Sequence, residues 1–144
     1  MNWEEAQLSH LACQIDMNKP LILIVEDNDK NLKLARDLLQ YSGYQTIEST
    51  DAEGGIILAK QCQPALILMD IQLPGMSGIE GLRHLREDPE TEAIPVIAVT
   101  ASAMTDDEQK IRSSGFNGYI RKPIDIDAFL EEIRQIISKH GEER

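Results

Sequence analysis

The sequence predicts an α/β domain in which helices cover both faces of a five-stranded parallel sheet, a doubly wound arrangement. Apolar runs and helical patterns alternate five times along the chain, which is typical of parallel strands joined by crossover helices. The first run, Leu21–Val25, is apolar at every position. Such a run indicates a strand that is buried on both sides.

The other strands are predicted from similar runs, each bounded by turn or capping residues. The third run stops directly before Asp70, and the fourth ends in Thr100. The five predicted strands cover 21–25, 44–48, 65–69, 95–100 and 118–121.

Helices are predicted between the strands from apolar spacing and capping residues. The first covers Asn31–Tyr41, with Asn28 or Asp29 available to cap its start and Gly43 as its C-cap. The second is expected to run to about residue 61 and the fourth to stop at residue 115. The starts of the second, third and fourth helices are assigned to caps at Thr50–Glu53, Ser77–Glu80 and Thr105–Glu108.

The last helix is predicted to begin at Asp125, and its apolar residues recur at helical spacing. One face of this helix is therefore expected to pack on the sheet. The residues expected to point inward are Ile126, Phe129, Leu130, Ile133, Ile136 and Ile137. The domain is predicted to span 20–140, after an extension of residues 1–19, helical or disordered, and before a tail of residues 141–144.

Composition and charge exclude several classes of function. The 144 residues carry 25 acidic and 14 basic side chains, a net charge of −11. Such a surface disfavours direct binding to nucleic acid, which depends on Lys and Arg. No apolar run approaches the roughly 18 residues of a membrane span, and the N-terminus lacks a secretory pattern.

The chain has two cysteines, Cys13 and Cys62, too few for a disulfide framework. A cytoplasmic location is therefore predicted, with Cys62 contributing ordinary packing. His10 lies three residues before Cys13, but two ligands without others nearby do not predict a metal site.

Reactive side chains stand where the predicted strands end. Parallel strands bring their carboxyl ends to one edge of the sheet, where sites form at the reversal of strand order. Clustered carboxylates repel one another in a partly buried crevice, and their oxygens suit a hard divalent cation such as Mg²⁺. The residues at these strand ends are Glu26, Asp27, Asp70, Thr100 and Lys122.

Four motifs in chain order then indicate a family. The chain from about residue 20 to 140 resembles response-regulator receiver domains (CheY-like), the phospho-accepting modules of two-component signalling. It is most similar to stand-alone receivers or those of hybrid histidine kinases. The resemblance implies a flavodoxin-like sheet with strand order 2-1-3-4-5. The motifs are ILIVEDN, LILMDIQLPGMSG, PVIAVTA and YIRKP.

The resemblance also implies roles for single residues. Asp70 would be the phosphoacceptor, assisted by Lys122 and Thr100. Thr100 and Tyr119 would form the switch, and Pro123 would follow a cis peptide bond. Mg²⁺ or Mn²⁺ would be held by Asp27, Asp70, the backbone carbonyl of Gln72 and, through water, Glu26, where the family more often has Asp.

The implied function is a phosphorelay response regulator. A sensor histidine kinase or a histidine phosphotransfer protein would donate the phosphoryl group, and a downstream protein would read the face of the fourth helix, fifth strand and fifth helix. Apart from its own phosphorylation and slow dephosphorylation, no enzymatic activity is expected. Because the printed chain stops soon after the last helix, output by protein contact is expected, and a weak homodimer is left open.

Competing interpretations are weaker. A receiver-fold interaction module that works without phosphorylation would not need Asp70, the acidic pair, Thr100 and Lys122 together. A phosphohydrolase with an aspartyl nucleophile calls for a second acid at Gln72, and a nucleotide binder calls for a glycine loop after the first strand. Pro74, Gly75 and Gly78 fit an ordinary strand-to-helix turn, and no chemistry is assigned to them.

Overall fold

The computed structural model describes residues 18–101 and 105–142. Within them, five parallel strands form one sheet in the order β2-β1-β3-β4-β5, which confirms the predicted fold class. The strands are β1 Leu21–Val25, β2 Gln45–Ser49, β3 Leu66–Asp70, β4 Val96–Thr100 and β5 Gly118–Arg121. The helices are α1 Asp29–Tyr41, α2 Ala52–Cys62, α3 Gly78–Glu87, α4 Thr105–Ser113 and α5 Ile126–Glu142.

The sheet separates two apolar clusters. Alternate strand residues point to opposite faces, so Ile22 and Leu68 join the cluster formed with α1 and α5. Leu23 and Met69 join the other cluster, formed with α2 and α3. Both faces of the central strands are therefore covered, which explains why their sequences are continuously apolar.

β3 places a carboxylate at the end of a fully buried strand. All five of its residues are buried, and β1 and β4 flank it on either side. Asp70, its last residue, is only 4% exposed. The strand therefore holds this carboxylate at the sheet edge on a backbone that is hydrogen-bonded on both sides.

Two helix starts differ from the prediction. α1 begins two residues earlier than predicted, because Asn28 caps it by accepting a hydrogen bond from the amide of Asn31 at 3.0 Å. The cap of α2 is Asp51 rather than Thr50, since the Asp51 carboxylate accepts from the amide of Gly54 at 2.7 Å. The predicted capping box at Thr50 is thus wrong by one residue.

The starts of α3 and α5 are set by side-chain caps. Ser77 accepts from the amide of Glu80 at 3.2 Å, which confirms the predicted cap of α3. Asp125 accepts from the amide of Ala128 at 3.0 Å, so α5 itself begins one residue later. Ile126 is 50% exposed, contrary to the prediction that it packs inward, whereas Phe129 in the same turn is buried in the core.

Two sequence predictions fall partly outside the described residues. Residues 1–17, with His10 and Cys13, carry most of the predicted extension, and the side chains of the predicted α4 cap are likewise not described.

Cys62, at the end of α2, is disulfide-bonded, contrary to the expectation of packing alone. Among the described helices, none has the length and apolar character needed to cross a bilayer.

The corrected cap of α2 gives a stability prediction. Asp51→Ala is expected to lower the free energy of unfolding by about 1 kcal/mol, the usual cost of losing an N-cap. Thr50→Ala, which removes the neighbouring hydroxyl, is expected to cost less than about 0.5 kcal/mol. Urea denaturation of the two variants measures the difference, and a larger loss for Thr50→Ala would restore the capping box predicted from sequence.

Candidate functional site

The strand-end residues meet at one edge of the sheet. Glu26 and Asp27 follow β1 directly, Asp70 ends β3 and Thr100 ends β4, while Lys122 follows β5. β1 and β3 are adjacent although β2 lies between them in the chain. The site therefore lies where the strand order reverses, the usual position for a site in such sheets.

Three carboxylates form a group that suits a cation. Oxygens of Glu26, Asp27 and Asp70 all lie within 4.8 Å of one another, and no other such group of three occurs among the described residues. Glu26 and Asp70 are buried, whereas Asp27 is exposed. An oxygen-only donor set with one open side fits Mg²⁺ or Mn²⁺, which keep several water ligands.

Lys122 neutralises part of this negative charge. Its ammonium lies 2.8 Å from Glu26 Oε1 and 2.9 Å from Asp70 Oδ2. The side chain of Lys122 is only 16% exposed, so the ion pairs are partly shielded from solvent. One cation thus bridges two of the three carboxylates and draws the end of β5 towards β1 and β3.

Backbone amides orient the Asp70 carboxylate further. The amide of Gln72 donates to Asp70 Oδ1 at 2.9 Å, while Lys122 occupies the other oxygen. The amide of Ile71 donates to the Val99 carbonyl at 3.0 Å, so the sheet ladder continues one residue past the strand. Both carboxylate oxygens are therefore held before any ligand binds.

Burial shifts the charge state of Glu26. Burial is the largest cause that raises the pKa of Glu26 to about 7; the hydrogen bond to Asp70 raises it further, and Lys122 opposes both. Burial also acts to lower the pKa of Lys122, but its bonds to Glu26 and Asp70 outweigh this and hold that pKa above its usual value. Lys122 is thus the fixed charge, and Glu26 is the group that exchanges a proton near neutral pH.

The residues assigned to the switch lie on β4 and β5. Thr100 is 1% exposed, and its carbonyl accepts a hydrogen bond from the amide of Lys122 at 2.8 Å. The Lys122–Pro123 peptide bond is cis, the isomer expected there. Tyr119 is half-buried and borders a surface hollow of about 220 Å³ between β5 and α5.

Sequence reasoning missed two features of the site. The bridge from Lys122 to Glu26 joins residues far apart in the chain, and a charge pattern alone gives no signal for it. The Gln72 amide bond to Asp70 was also missed, although an aspartate that bonds the amide two residues ahead is a common local turn. The backbone carbonyl of Gln72 remains only a predicted metal ligand.

The fold and site agree with comparisons to known families. The family model described as the response regulator receiver domain matches residues 22–134. The chain belongs to this family.

Curated relatives include response regulators of known name. The chain is 49% identical over 116 residues to the polar-differentiation response regulator DivK of Brucella anthropi, covering 81% of this chain and 94% of that protein. The protein of the same name from Brucella ovis matches with the same identity and coverage.

Solved structures share the fold closely. A CheY-like response regulator receiver domain protein from Methanospirillum hungatei has a TM-score of 0.80 at 27% identity, covering 88% of this chain and 99% of that one. The receiver domain of a sensor histidine kinase from Pseudomonas aeruginosa has a TM-score of 0.78 at 28% identity, covering 83% and 98%. The latter structure has a magnesium ion coordinated in its active-site cleft.

The raised pKa of Glu26 predicts a pH-dependent stability for the metal-free protein. Glu26 titrates at about 7 when folded, against an ordinary value of 4.5. Between these values the folded state binds more protons, so its free energy of unfolding falls as the pH rises and levels off above about 7. Urea denaturation in EDTA is expected to show a loss on the order of 3 kcal/mol across this window.

Two variants isolate the contribution of this carboxyl. Glu26→Gln removes the titrating group and is expected to flatten the pH dependence. Glu87→Gln removes a carboxylate from an exposed helix position and is expected to preserve it. An unchanged slope in Glu26→Gln would assign the effect to another group.

Proposed function

We propose that this chain is a phosphorelay response regulator that accepts a phosphoryl group on Asp70. One observation carries the proposal: the buried carboxylate of Asp70 lies between a three-carboxylate cluster and the ammonium of Lys122. Its membership of the receiver family and its identity to proteins named as response regulators support the same function.

The transfer forms one bond and breaks another. A carboxylate oxygen of Asp70 attacks the phosphorus of a phosphohistidine, the N–P bond breaks, and the imidazole leaves and takes up a proton. Such a reaction depends mainly on alignment and charge neutralisation. Asp70 is already aligned by the Gln72 amide and by Lys122.

Lys122 and Thr100 are proposed to stabilise the incoming group. Lys122 shifts from the carboxylate oxygen of Asp70 to a phosphoryl oxygen and remains close to Glu26. The Thr100 hydroxyl donates to a second phosphoryl oxygen. This arrangement places positive charge and a hydrogen-bond donor where negative charge increases during transfer.

Mg²⁺ or Mn²⁺ is the proposed cofactor. Asp27, Asp70 and the carbonyl of Gln72 would hold it directly, and Glu26 through water. The ion would neutralise phosphoryl oxygens and offset the repulsion among the carboxylates. The magnesium in the cleft of the Pseudomonas aeruginosa receiver and the oxygen donor set here support this assignment.

The proposed role is signalling rather than turnover of a separate substrate. Asp70 is phosphorylated by a sensor histidine kinase or a histidine phosphotransfer protein, and slow attack of water on the acyl phosphate resets the chain. A downstream protein reads the state by direct contact, without nucleic acid or membrane. We place these events in the cytoplasm, where ATP supplies kinases with phosphoryl groups.

The output is proposed to run through Thr100 and Tyr119. Phosphorylation draws the Thr100 hydroxyl towards Asp70, and Tyr119 moves inward from its half-buried position into the vacated space. The face of α4, β5 and α5 then changes shape. Modification thereby selects one of two packings of this face.

The first test measures phosphorylation directly. The chain is incubated with acetyl phosphate and Mg²⁺, and its intact mass is determined. We expect a gain of one phosphoryl group that is lost on chelation of the metal and in Asp70→Asn. Lys122→Ala is expected to slow the gain by about a hundredfold to a thousandfold, the range seen on removal of a single charge-stabilising group.

Asp51→Asn serves as the control for loss of an aspartate. Because Asp51 caps α2 and lies outside the carboxylate cluster, the Asp51→Asn variant is expected to gain a phosphoryl group as the wild type does. A wild-type chain that never gains mass under these conditions would favour the interaction module that works without phosphorylation.

The second test examines the switch. Beryllofluoride, a phosphoryl mimic, is added to ¹⁵N-labelled protein, and amide shifts are recorded. In the wild type, shifts are expected near Asp70 and across β5 and α5. In Tyr119→Ala the shifts near Asp70 are expected to persist while those on β5 and α5 shrink.

Tyr41→Ala is the matched control, because Tyr41 ends α1 and is 93% exposed. It is expected to respond like the wild type. Equal responses of β5 and α5 in Tyr119→Ala and the wild type would remove Tyr119 from the mechanism.

A further inference from the structure

The start of α3 lies unusually close to the backbone of Asp70. Gly78 is the first residue of this helix, and it is buried. A Cβ built on it would lie 2.3 Å from the Asp70 carbonyl oxygen and 2.9 Å from Ile71 Cα. Separations below 3.0 Å essentially never occur for a real Cβ, and both atoms belong to the backbone, which cannot rotate away.

The same approach closes the loop that follows Asp70. The amide of Gly78 donates to the carbonyl of Ile71 at 3.0 Å, and the amide of Ile71 donates to Val99 at 3.0 Å. The Ile71 residue is thus held between β4 on one side and the first amide of α3 on the other. The next amide, that of Gln72, bonds the Asp70 carboxylate.

We propose that Gly78 is a positioning residue for phosphoryl transfer to Asp70. Its missing side chain lets α3 pack directly against the Asp70 and Ile71 backbone. This contact fixes how far the Asp70 carboxylate extends beyond the edge of the sheet, and it fixes the direction in which the Gln72 amide points. The inference rests on the proposed role of Asp70 and adds a residue that touches neither phosphoryl group nor metal.

The size of the effect follows from the geometry. Any side chain at position 78 displaces the Asp70 carbonyl or moves the start of α3 by a fraction of an ångström. Because a misplacement of about 1 Å can slow a reaction about a hundredfold, Gly78→Ala is expected to slow phosphorylation at least about tenfold. The maximal rate should fall while the half-saturating donor concentration stays within about twofold, since donor contacts are unchanged.

Two neighbouring variants separate positioning from general loss of stability. Gly81→Ala adds the same methyl one turn later, where it would meet side-chain atoms of Ala52 and Met69 at 3.3 Å. Ser77→Ala removes the cap of α3 and leaves the Gly78 contact intact. Both are expected to phosphorylate within about twofold of the wild-type maximal rate when folded.

The experiment measures acetyl phosphate-dependent mass gain of the full chain with Mg²⁺, at donor concentrations below and above saturation. Circular dichroism establishes the folded fraction of each variant, and trimethylamine N-oxide is added to all samples if Gly78→Ala is partly unfolded. The amide shift of Gln72, recorded without donor, reports the carboxylate position independently. It is expected to move in Gly78→Ala and stay in place in the two controls.

The outcomes distinguish this inference from the proposed function. A wild-type chain that gains no phosphoryl group overturns both. A phosphorylated wild type with an equally fast Gly78→Ala, per folded molecule, overturns the inference alone. So does a Gly78→Ala chain that stays unfolded with the osmolyte, because the glycine would then serve folding as a whole.

Discussion

Mutual repulsion among three carboxylates is the constraint on which the rest of this structure depends. Glu26, Asp27 and Asp70 present oxygens within 4.8 Å of one another, with two of the three side chains buried. Water cannot screen such charges well. Lys122 supplies the compensation within the chain by pairing with Glu26 and Asp70, and the proton that Glu26 retains near neutral pH reduces the repulsion further.

The fold serves this arrangement by holding backbones rather than side chains. β3 is buried along its whole length, and the ladder to β4 continues through Ile71. The Asp70 carboxylate therefore projects from a rigid support, as a reaction governed by alignment requires. The site is preorganised without any ligand, and in the proposed phosphoryl transfer Lys122 is the component that changes partners.

Much of this was predictable from sequence because the signals were local. Continuous apolar runs predicted the buried strands, and the parallel arrangement then brought the strand-end residues to one edge. Features that depend on the local backbone geometry were harder to predict from sequence. Either Thr50 or Asp51 could cap α2 by residue type, and only the conformation of the turn shows that Asp51 does so. Ile126 follows the helical pattern yet lies outside the packed region, because periodicity does not indicate where a helix meets the sheet.

Long-range contacts were beyond reach for a different reason. The Lys122–Glu26 bridge and the approach of Gly78 to the Asp70 backbone depend on how separate elements pack. No residue pattern encodes the distance between them. In the sequence, a glycine after a strand indicates only a turn. The structure shows in addition that a methyl group at position 78 would collide with the Asp70 carbonyl.

The separation of the apolar residues into two clusters by the sheet has an evolutionary consequence. Side chains of the α1 and α5 cluster do not share a face with those of the α2 and α3 cluster, so substitutions on the two sides are expected to act almost independently. One side of the molecule can therefore acquire new recognition residues while the other keeps its packing. A single scaffold of this kind can diversify into many partner specificities without rebuilding the chemistry at its edge.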